Sequence, residues 1–437
     1  MRRTATITIA TAGLFAASLL SSCSEPESEP NQRPGLSEGT SELADACVAD
    51  LVACARDSSV GEWIPDEIEP PTGEPIVLGM VNQENTAAGS YPELSQAVQA
   101  AVTFVNEDLG GIGGRPIEVE VCNTEFSTEG STTCGQRFVE AEVPAVLGGI
   151  DVFGNAVETL NENGIPYIGG IPISTPSVTS PNSFQWSGGT WGATVAFAEH
   201  AAKEIKAERV SIVYGEFGSI TQSAEYGKAV LEDYGIDVQL VPYPILATDI
   251  SSALNAAATT DPDALVLLAA DSGCKAGFDG IDALDLDATI YFVGACASPA
   301  IIDEVGPEKT NGAIFNVEGP IGQDQPSEDF TLYSSVIEAY GDGLDPVGAG
   351  TVSFRAFMNL YMIMQQLDGD ITPATITEKL ASQVDAPSFA GHPYTCDGKQ
   401  FDGLPAMCSP QQILGQMTDG VLAQLGDWID VGGIYAG

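Results

Sequence analysis

Short apolar runs alternate along this chain with longer segments in which apolar residues recur every three or four positions. In residues 92–108, for example, Leu94, Val98 and Val105 fall on one face of a helix. The apolar runs of the first part predict strands at 76–81, 117–122, 145–148, 166–169 and 183–186. The segments between them predict helices at 92–108, 130–141 and 155–163.

The same alternation begins again near Trp191. It predicts strands at 210–214, 238–243, 264–269, 289–293 and 312–317, and helices at 191–205, 219–234, 249–258 and 275–284. Two successive series of alternating strands and helices are typical of two α/β units with parallel sheets. The strands are continuous apolar runs, as expected where helices cover both faces of a sheet.

The C-terminal part follows a different pattern. It predicts helices at 327–340, 347–367 and 373–382, and then two strands at 412–417 and 421–425 around Asp419 and Gly420. Met and aromatic residues recur at helical spacing on the helix at 347–367. This pattern favours a packed core over a ligand site.

The N-terminus predicts export. Arg2 and Arg3 precede an apolar stretch at 6–20, which is too short to span a membrane and indicates a secretory signal peptide at 1–22. The residues that end at Cys23 resemble a bacterial lipobox, so Cys23 is predicted to carry a lipid. The alternative is an ordinary signal peptide with a chance cysteine. We expect a lipid-anchored linker with a short Cys-containing segment at 23–74.

The cysteine count also favours an oxidising compartment. The chain has nine cysteines, and eight remain without Cys23. The proposed disulfides are Cys122–Cys134, Cys274–Cys296, Cys396–Cys408 and Cys47–Cys54. The last pair is difficult, because seven residues of a continuous helix rise about 10.5 Å. Either the segment 43–56 is bent or these two cysteines pair elsewhere.

The formal net charge of −46 limits the partners of this chain. Such a surface repels nucleic acid and anionic headgroups, so we expect no nucleic-acid partner and a neutral, zwitterionic or cationic ligand. Solubility alone is the alternative explanation of the charge.

The sequence offers little catalytic chemistry. The two histidines, His200 and His392, have no companion at metal-ligand spacing, and the common hydrolase and phosphate-loop motifs are absent from the sequence. We therefore expect no metal, no cofactor and no enzyme activity. An extracellular hydrolase with a site assembled from distant residues stays open as an alternative.

The loops after the predicted strands are the candidate binding positions. Ligands of open parallel sheets bind beyond the carboxyl ends of the strands. The loops at these ends are 82–91, 150–155, 170–175, 215–219, 271–274 and 295–299. Taken singly, each polar residue there is explained as well by helix capping.

Residues 101–119 form a helix end, a glycine-rich turn from Asn106 to Arg115 and a strand. They resemble the corresponding segment of ABC-transporter solute-binding proteins of the leucine/isoleucine/valine-binding family. Weaker likeness is found at 146–149, 164–168, 213–215 and 391–399, so that the resemblance spans about 75–430.

The resemblance implies the type I periplasmic-binding fold: α/β, with two Rossmann-like lobes joined by a three-crossing hinge. We place the crossings near Gly188, near Gly319 and between 390 and 410. Lobe 1 is then expected to combine 75–188 with 319–390, and lobe 2 to combine 189–318 with 391–437.

The resemblance also implies that lobe 1 holds the carboxylate of an amino acid through hydroxyl and backbone groups, and that an acid of lobe 2 holds the ammonium. The corresponding lobe 1 segments, 151–155 and 171–174, have few small hydroxyl residues. The acid of lobe 2 is expected near 295–296, where this sequence has no acidic residue. Asp271 or Asp151 is expected to supply the negative charge in its place. The implied ligand-binding residues are Tyr91, Asp151, Phe153, Asn155, Ile173, Ser174, Phe217, Asp271, Ser272 and Cys296.

These features predict an extracytoplasmic lipoprotein on the outer face of the bacterial cytoplasmic membrane. It is expected to be a monomer that captures a small polar solute and delivers it to an ABC permease. Three classes of solute stay open: a branched-chain amino acid, another amino acid or an amide. The alternative is a ligand-sensing ectodomain that signals through a membrane partner.

Overall fold

A computed structural model describes residues 46–86, 89–317, 327–346 and 348–434. Residues 1–45, which include the expected signal peptide and Cys23, lie outside the described residues. No helix of the described ranges is both long enough and apolar enough to cross a membrane.

The sheet of lobe 1 contains five parallel strands. They are β1 (Ile76–Asn82), β2 (Ile117–Asn123), β3 (Val146–Gly148), β4 (Tyr167–Ile168) and β5 (Ser183–Phe184), in the order β2-β1-β3-β4-β5. The helices between them are Pro92–Glu107, Thr128–Glu140, Asn155–Glu162 and the short Thr175–Thr179. The short helix is the one element of this series that the sequence pattern did not predict.

The glycine-rich turn fixes the start of β2. Gly111 has φ +71°, and a Cβ atom there would lie 2.2 Å from the carbonyl oxygen of Arg115, so the turn requires glycine. The Asn106 side chain exchanges two 2.8 Å hydrogen bonds with the backbone of Ile117. Arg115 donates to the carbonyl oxygens of Glu74 and Pro75. These residues therefore join the helix end, β2 and the chain entering β1.

The sheet of lobe 2 contains seven strands. They are β6 (Arg209–Glu216), β7 (Asp237–Pro244), β8 (Ala264–Leu268), β9 (Thr289–Phe292), β10 (Ile314–Val317), β11 (Gln411–Thr418) and β12 (Val421–Asp430), in the order β12-β11-β10-β9-β8-β6-β7. The first five are parallel, and the C-terminal hairpin β11–β12 adds to β10 in the antiparallel sense. The predicted α/β class with two lobes is confirmed.

The helices of lobe 2 cover both faces of this sheet, as its fully buried strand β8 requires. They are Gly189–His200 with a π-helical turn at Ala201–Ile205, Gly218–Asp233, Ser251–Ala258, Asp271–Leu284, Pro299–Val305, Pro307–Thr310 and the terminal Val431–Ile434. The helix predicted at 275–284 begins four residues earlier, at Asp271, which brings that carboxylate into its first turn.

Three later helices return to lobe 1: Glu328–Tyr340, Gly350–Gln365 and Pro373–Ala381. The first two pack against helix Pro92–Glu107. The Met and aromatic side chains of Gly350–Gln365 are buried in the lobe 1 core, in agreement with the pattern. Tyr394 and Cys396 also belong to this core, so lobe 1 extends beyond the expected boundary at 390.

The segment before β1 corrects the expected linker. It contains a helical turn at 46–49, the helix Leu51–Asp57 and a 3₁₀ turn at Gly61–Trp63. Its apolar residues Cys47, Leu51, Ala55, Val60 and Ile64 are buried in the lobe 1 core. Helix Leu51–Asp57 packs on helix Glu328–Tyr340. Residues 46–68 are thus not a free linker, because they bury an apolar face.

Two crossings between the lobes lie side by side. The backbone N–H of Gln185 donates to the carbonyl oxygen of Ala406 (2.9 Å), and the N–H of Cys408 donates to the carbonyl oxygen of Gln185 (2.8 Å). The crossing expected near Gly319 lies outside the described residues.

All four proposed cysteine pairs are bonded: Cys47–Cys54, Cys122–Cys134, Cys274–Cys296 and Cys396–Cys408. The difficult pair forms because the segment is bent. Helical structure is interrupted at Asp50, which has φ −151° and caps Ala53 with its side chain. The Cα atoms of Cys47 and Cys54 are therefore 5.3 Å apart.

Candidate functional site

A cavity of about 540 Å³ lies between the lobes, at the carboxyl ends of the parallel strands. This volume is within the usual range for a site that buries a small organic molecule. Both lobes contribute to its walls, and most of the side chains are apolar. The apolar side chains of the wall include Phe126, Ile150, Val152, Ile171, Ile173 and Phe217.

The lobe 1 wall is apolar at the carboxyl ends of β3 and β4. Ile150 and Val152 follow β3, and Ile171 and Ile173 follow β4. The family resemblance implies small hydroxyl residues in these segments. Branched apolar side chains cannot hydrogen-bond to a carboxylate, so a carboxylate placed against them loses hydration without replacement by side chains.

Three phenylalanine rings meet where the lobes face each other. Phe126 and Phe153 of lobe 1 lie 6.3 and 5.6 Å from the ring centroid of Phe217, which follows β6 in lobe 2. Phe126 and its neighbour Glu125 have φ values of +49° and +52°. This left-handed backbone is unfavourable for both residue types, and it brings the Phe126 ring to the cavity.

A hydrogen bond joins the lobes directly. Tyr91, just before helix Pro92–Glu107, donates its hydroxyl to Oδ1 of Asp271 (3.1 Å), the first residue of helix Asp271–Leu284. Burial, followed by the charge of Asp271, raises the pKa of Tyr91, so the phenol stays protonated and donates. Burial also raises the pKa of Asp271, against the opposing effect of the Tyr91 hydrogen bond.

Glu93 is a second carboxyl group in the cavity wall. Burial raises its pKa to about 7, and the charges of Asp271 and Glu84 act in the same direction. A hydrogen bond within the residue itself opposes the shift. The group therefore changes charge near neutral pH.

Two buried polar groups of the wall have no hydrogen-bond partner within the described ranges. They are the side-chain oxygen of Gln83 and the hydroxyl of Tyr333, and each residue is 1% exposed. The Gln83 amide nitrogen is satisfied, since it donates to the carbonyl oxygen of Gly89 (3.2 Å).

Two cationic side chains also line the cavity. Lys275 forms an ion pair with Glu304. Arg355, in helix Gly350–Gln365, is only 4% exposed.

The structure brings four of the expected ligand-binding residues to the cavity: Tyr91, Ile173, Phe217 and Asp271. Phe153 contacts the ring of Phe217 but does not itself line the cavity. Ser272 is the second residue of helix Asp271–Leu284, and its side chain does not line the cavity either.

The other expected residues do not line the cavity and instead make contacts within the fold. Asp151 is 3% exposed and accepts a 2.8 Å hydrogen bond from Ser131, while burial raises its pKa. Asn155 and Ser174 lie at the starts of helices Asn155–Glu162 and Thr175–Thr179. Cys296 is buried and bonded to Cys274, which corrects its proposed contact with a ligand.

Sequence reasoning missed Phe126, Glu93, Gln83 and Arg355. Phe126 lies in the loop after β2, so the same strand-end rule would have found it. Gln83 lies in the loop 82–91, and Glu93 is two residues after the expected Tyr91. The sequence did not indicate Arg355 as a cavity residue, because the pattern of its helix is that of a packed core.

The described ranges contain no group of three or more His, Cys, Asp or Glu side chains placed to hold a metal ion.

Residues 75–405 match the family described as periplasmic binding protein. This chain belongs to the periplasmic binding protein family. Its members are ligand-binding proteins that act outside the cytoplasm. The segment 46–74, with the Cys47–Cys54 disulfide, precedes the matched region. No curated protein sequence matches the chain significantly.

Solved structures share the type I fold of this periplasmic binding protein. A leucine-binding protein from Thermotoga maritima is 15% identical, with a TM-score of 0.67 over 82% of this chain and 99% of its own. A possible leucine/isoleucine/valine-binding protein from Rhodopirellula baltica is 13% identical, with a TM-score of 0.71 over 82% and 98%. A solute-binding protein of an ABC transporter from Rhodopseudomonas palustris, in complex with p-hydroxybenzoic acid, is 16% identical, with a TM-score of 0.68 over 83% and 98%.

Proposed function

We propose that this chain captures a small solute between its lobes outside the cytoplasm and delivers it to an ABC permease. The proposal includes export by the signal peptide, a lipid anchor on Cys23 and a monomeric state. The solute occupies the cavity, and the lobes close over it by rotation about the crossings.

The observation that supports this function is the cavity itself, whose walls come from both lobes and across which Tyr91 bonds to Asp271. Contacts with both lobes make solute binding and lobe closure favour each other. The ligands named for similar structures, an amino acid and p-hydroxybenzoic acid, differ in charge and shape. The fold therefore leaves the choice of solute to the wall residues.

A thermal-shift screen of the purified chain tests solute capture. The panel contains amino acids, amides, betaines, amines and aromatic acids. A solute at 100 times its dissociation constant should add about 2.7 kcal/mol to the free energy of unfolding. Absence of stabilisation by every class, in a chain with a cooperative unfolding transition, would contradict the proposal. Co-purification with a permease rather than with a membrane kinase separates delivery from sensing.

A further inference from the structure

The polar groups around Tyr91 are mainly hydrogen-bond acceptors. Glu93 and Asp271, both in the cavity wall, bring carboxylate oxygens. A ligand that fits these groups must bring donors. An ammonium group brings donors and a positive charge together.

The charges in this part of the wall favour the same kind of ligand. Glu93 and Asp271 repel each other, and Glu84 adds to the negative potential at Glu93. A cation between the carboxylates removes this repulsion and replaces the water that they lose on closure. Lys275 offsets the charge of Asp271 in part, but it is also bonded to Glu304.

Aromatic rings complete the surroundings. Tyr91, Phe330 and Tyr333 line the same cavity as Glu93, and the Tyr333 hydroxyl is a further group without a described partner. Faces of aromatic rings attract cations, and the attraction grows when water is excluded. The remaining apolar wall suits a hydrocarbon body.

We propose that the cavity binds an organic amine with an apolar body, whose ammonium group is held between Glu93 and Asp271. This inference rests on the proposed function, since it names the class of solute. An α-amino acid fits less well, because Ile150, Val152, Ile171 and Ile173 occupy the wall segments where its carboxylate would need donors.

Amine binding is coupled to the charge of Glu93. The ammonium requires the ionised carboxylate, so a protonated Glu93 must release its proton to solvent when the amine binds. Affinity for an amine should thus rise with pH up to about 7 and then level off, since burial and the nearby carboxylates hold the pKa of Glu93 at about 7. The other ionisable and charged groups in the surroundings are Glu84, Asp271, Glu304, Asp345, Lys275, Arg355, Tyr91 and Tyr333.

Calorimetric titration of the purified full chain with matched ligands tests the inference. One series is isoamylamine, leucine and isocaproate, and the other is phenethylamine, phenylalanine and hydrocinnamate. Within each series the body is shared, and only the amine or the carboxylate is removed. We expect the amine of at least one series to bind at least tenfold more tightly than its amino acid and its acid.

Tighter binding of the amino acid or the acid would overturn the inference and point to Arg355 as a carboxylate partner. If neither amine binds while another solute class stabilises the chain, the inference fails and the proposed function stands. If no solute of any class binds, the proposed function fails with it.

Variants locate the ammonium site. Glu93→Gln should weaken amine binding at pH 8 at least tenfold and remove the rise in affinity between pH 6 and 8. Glu107→Gln is the matched control, since Glu107 ends the same helix, is exposed and lies outside the cavity wall. Asp271→Asn serves if the first variant does not fold. Unchanged amine affinity in a folded Glu93→Gln or Asp271→Asn variant would overturn the inference.

Discussion

Glu93 shows at the residue scale how position decides the behaviour of a side chain. Its sequence neighbours, Pro92 and Leu94, indicate only the start of a helix. In the structure the carboxyl group lies in the cavity wall, where burial and then the charges of Asp271 and Glu84 raise its pKa from 4.5 to about 7. Tertiary contacts, and not the local sequence, therefore give this carboxyl group its raised pKa.

The raised pKa of Glu93 predicts how stability depends on pH. The unfolded chain releases this proton near pH 4.5 and the folded chain near 7, so the contribution of Glu93 to stability is present below pH 4.5 and is lost as the pH rises to 7. The loss is about 3 kcal/mol at most. Urea unfolding without ligand should therefore show that Glu93→Gln is more stable than the original chain at pH 8. An equal pH dependence of the two proteins would contradict the raised pKa.

At the scale of elements, Asp329 joins the N-terminal segment to the rest of lobe 1. It lies in the first turn of helix Glu328–Tyr340. Its two carboxylate oxygens accept 2.7 Å hydrogen bonds from the backbone N–H groups of Ser59 and Ala390. One side chain thus holds together two segments that are far apart in the sequence.

We predict that Asp329→Ala destabilises the protein by about 2–4 kcal/mol, because two backbone N–H groups lose a charged acceptor. Chemical denaturation measures this change. Glu328→Ala is the matched control, since Glu328 is the exposed neighbour in the same turn, and it should change stability by less than about 1 kcal/mol. If both variants unfold alike, the bonds to Ser59 and Ala390 do not contribute as proposed.

At the scale of the whole molecule, closure depends on contacts that join the lobes. The hydrogen bond from Tyr91 to Asp271 and the rings of Phe126, Phe153 and Phe217 form only when the lobes meet. We expect the backbone hydrogen bonds of Gln185, which join neighbouring crossings, to persist when the lobes open. Solute-dependent closure is therefore expected to make and break the Tyr91–Asp271 bond and the contacts among the three phenylalanine rings.

Tyr91→Phe should favour the open state in the absence of ligand, because closure then leaves Asp271 with the Ser90 backbone N–H but without the Tyr91 hydroxyl. A loss of about 1–2 kcal/mol shifts the equilibrium roughly 5- to 30-fold. Small-angle scattering should show a larger radius of gyration than for the original chain. Tyr340→Phe is the control, since Tyr340 donates to Asp108 (2.7 Å) within lobe 1. A similar change in both variants would argue against a role in closure.

Periodicity alone predicted most of the elements, because each buried strand and each amphipathic helix carries its apolar pattern locally. The predicted strand at 117–122 is β2, and the predicted helix at 92–108 ends one residue earlier, at Glu107. Asp271 was expected at the site because it follows a strand. Cys296 was misplaced, since position in a loop does not tell which way a side chain points.

The sequence by itself determined the two α/β series, the family turn from Asn106 to Arg115 and the even number of cysteines that remain without Cys23. Each of these depends on residues close together in the chain. The tertiary structure alone decided that residues 46–68 pack in lobe 1 and that Tyr91, Glu93 and Asp271 share one cavity. The reason is physical: burial and charge interactions depend on distances through space, and Asp271 is 180 residues from Tyr91 along the chain.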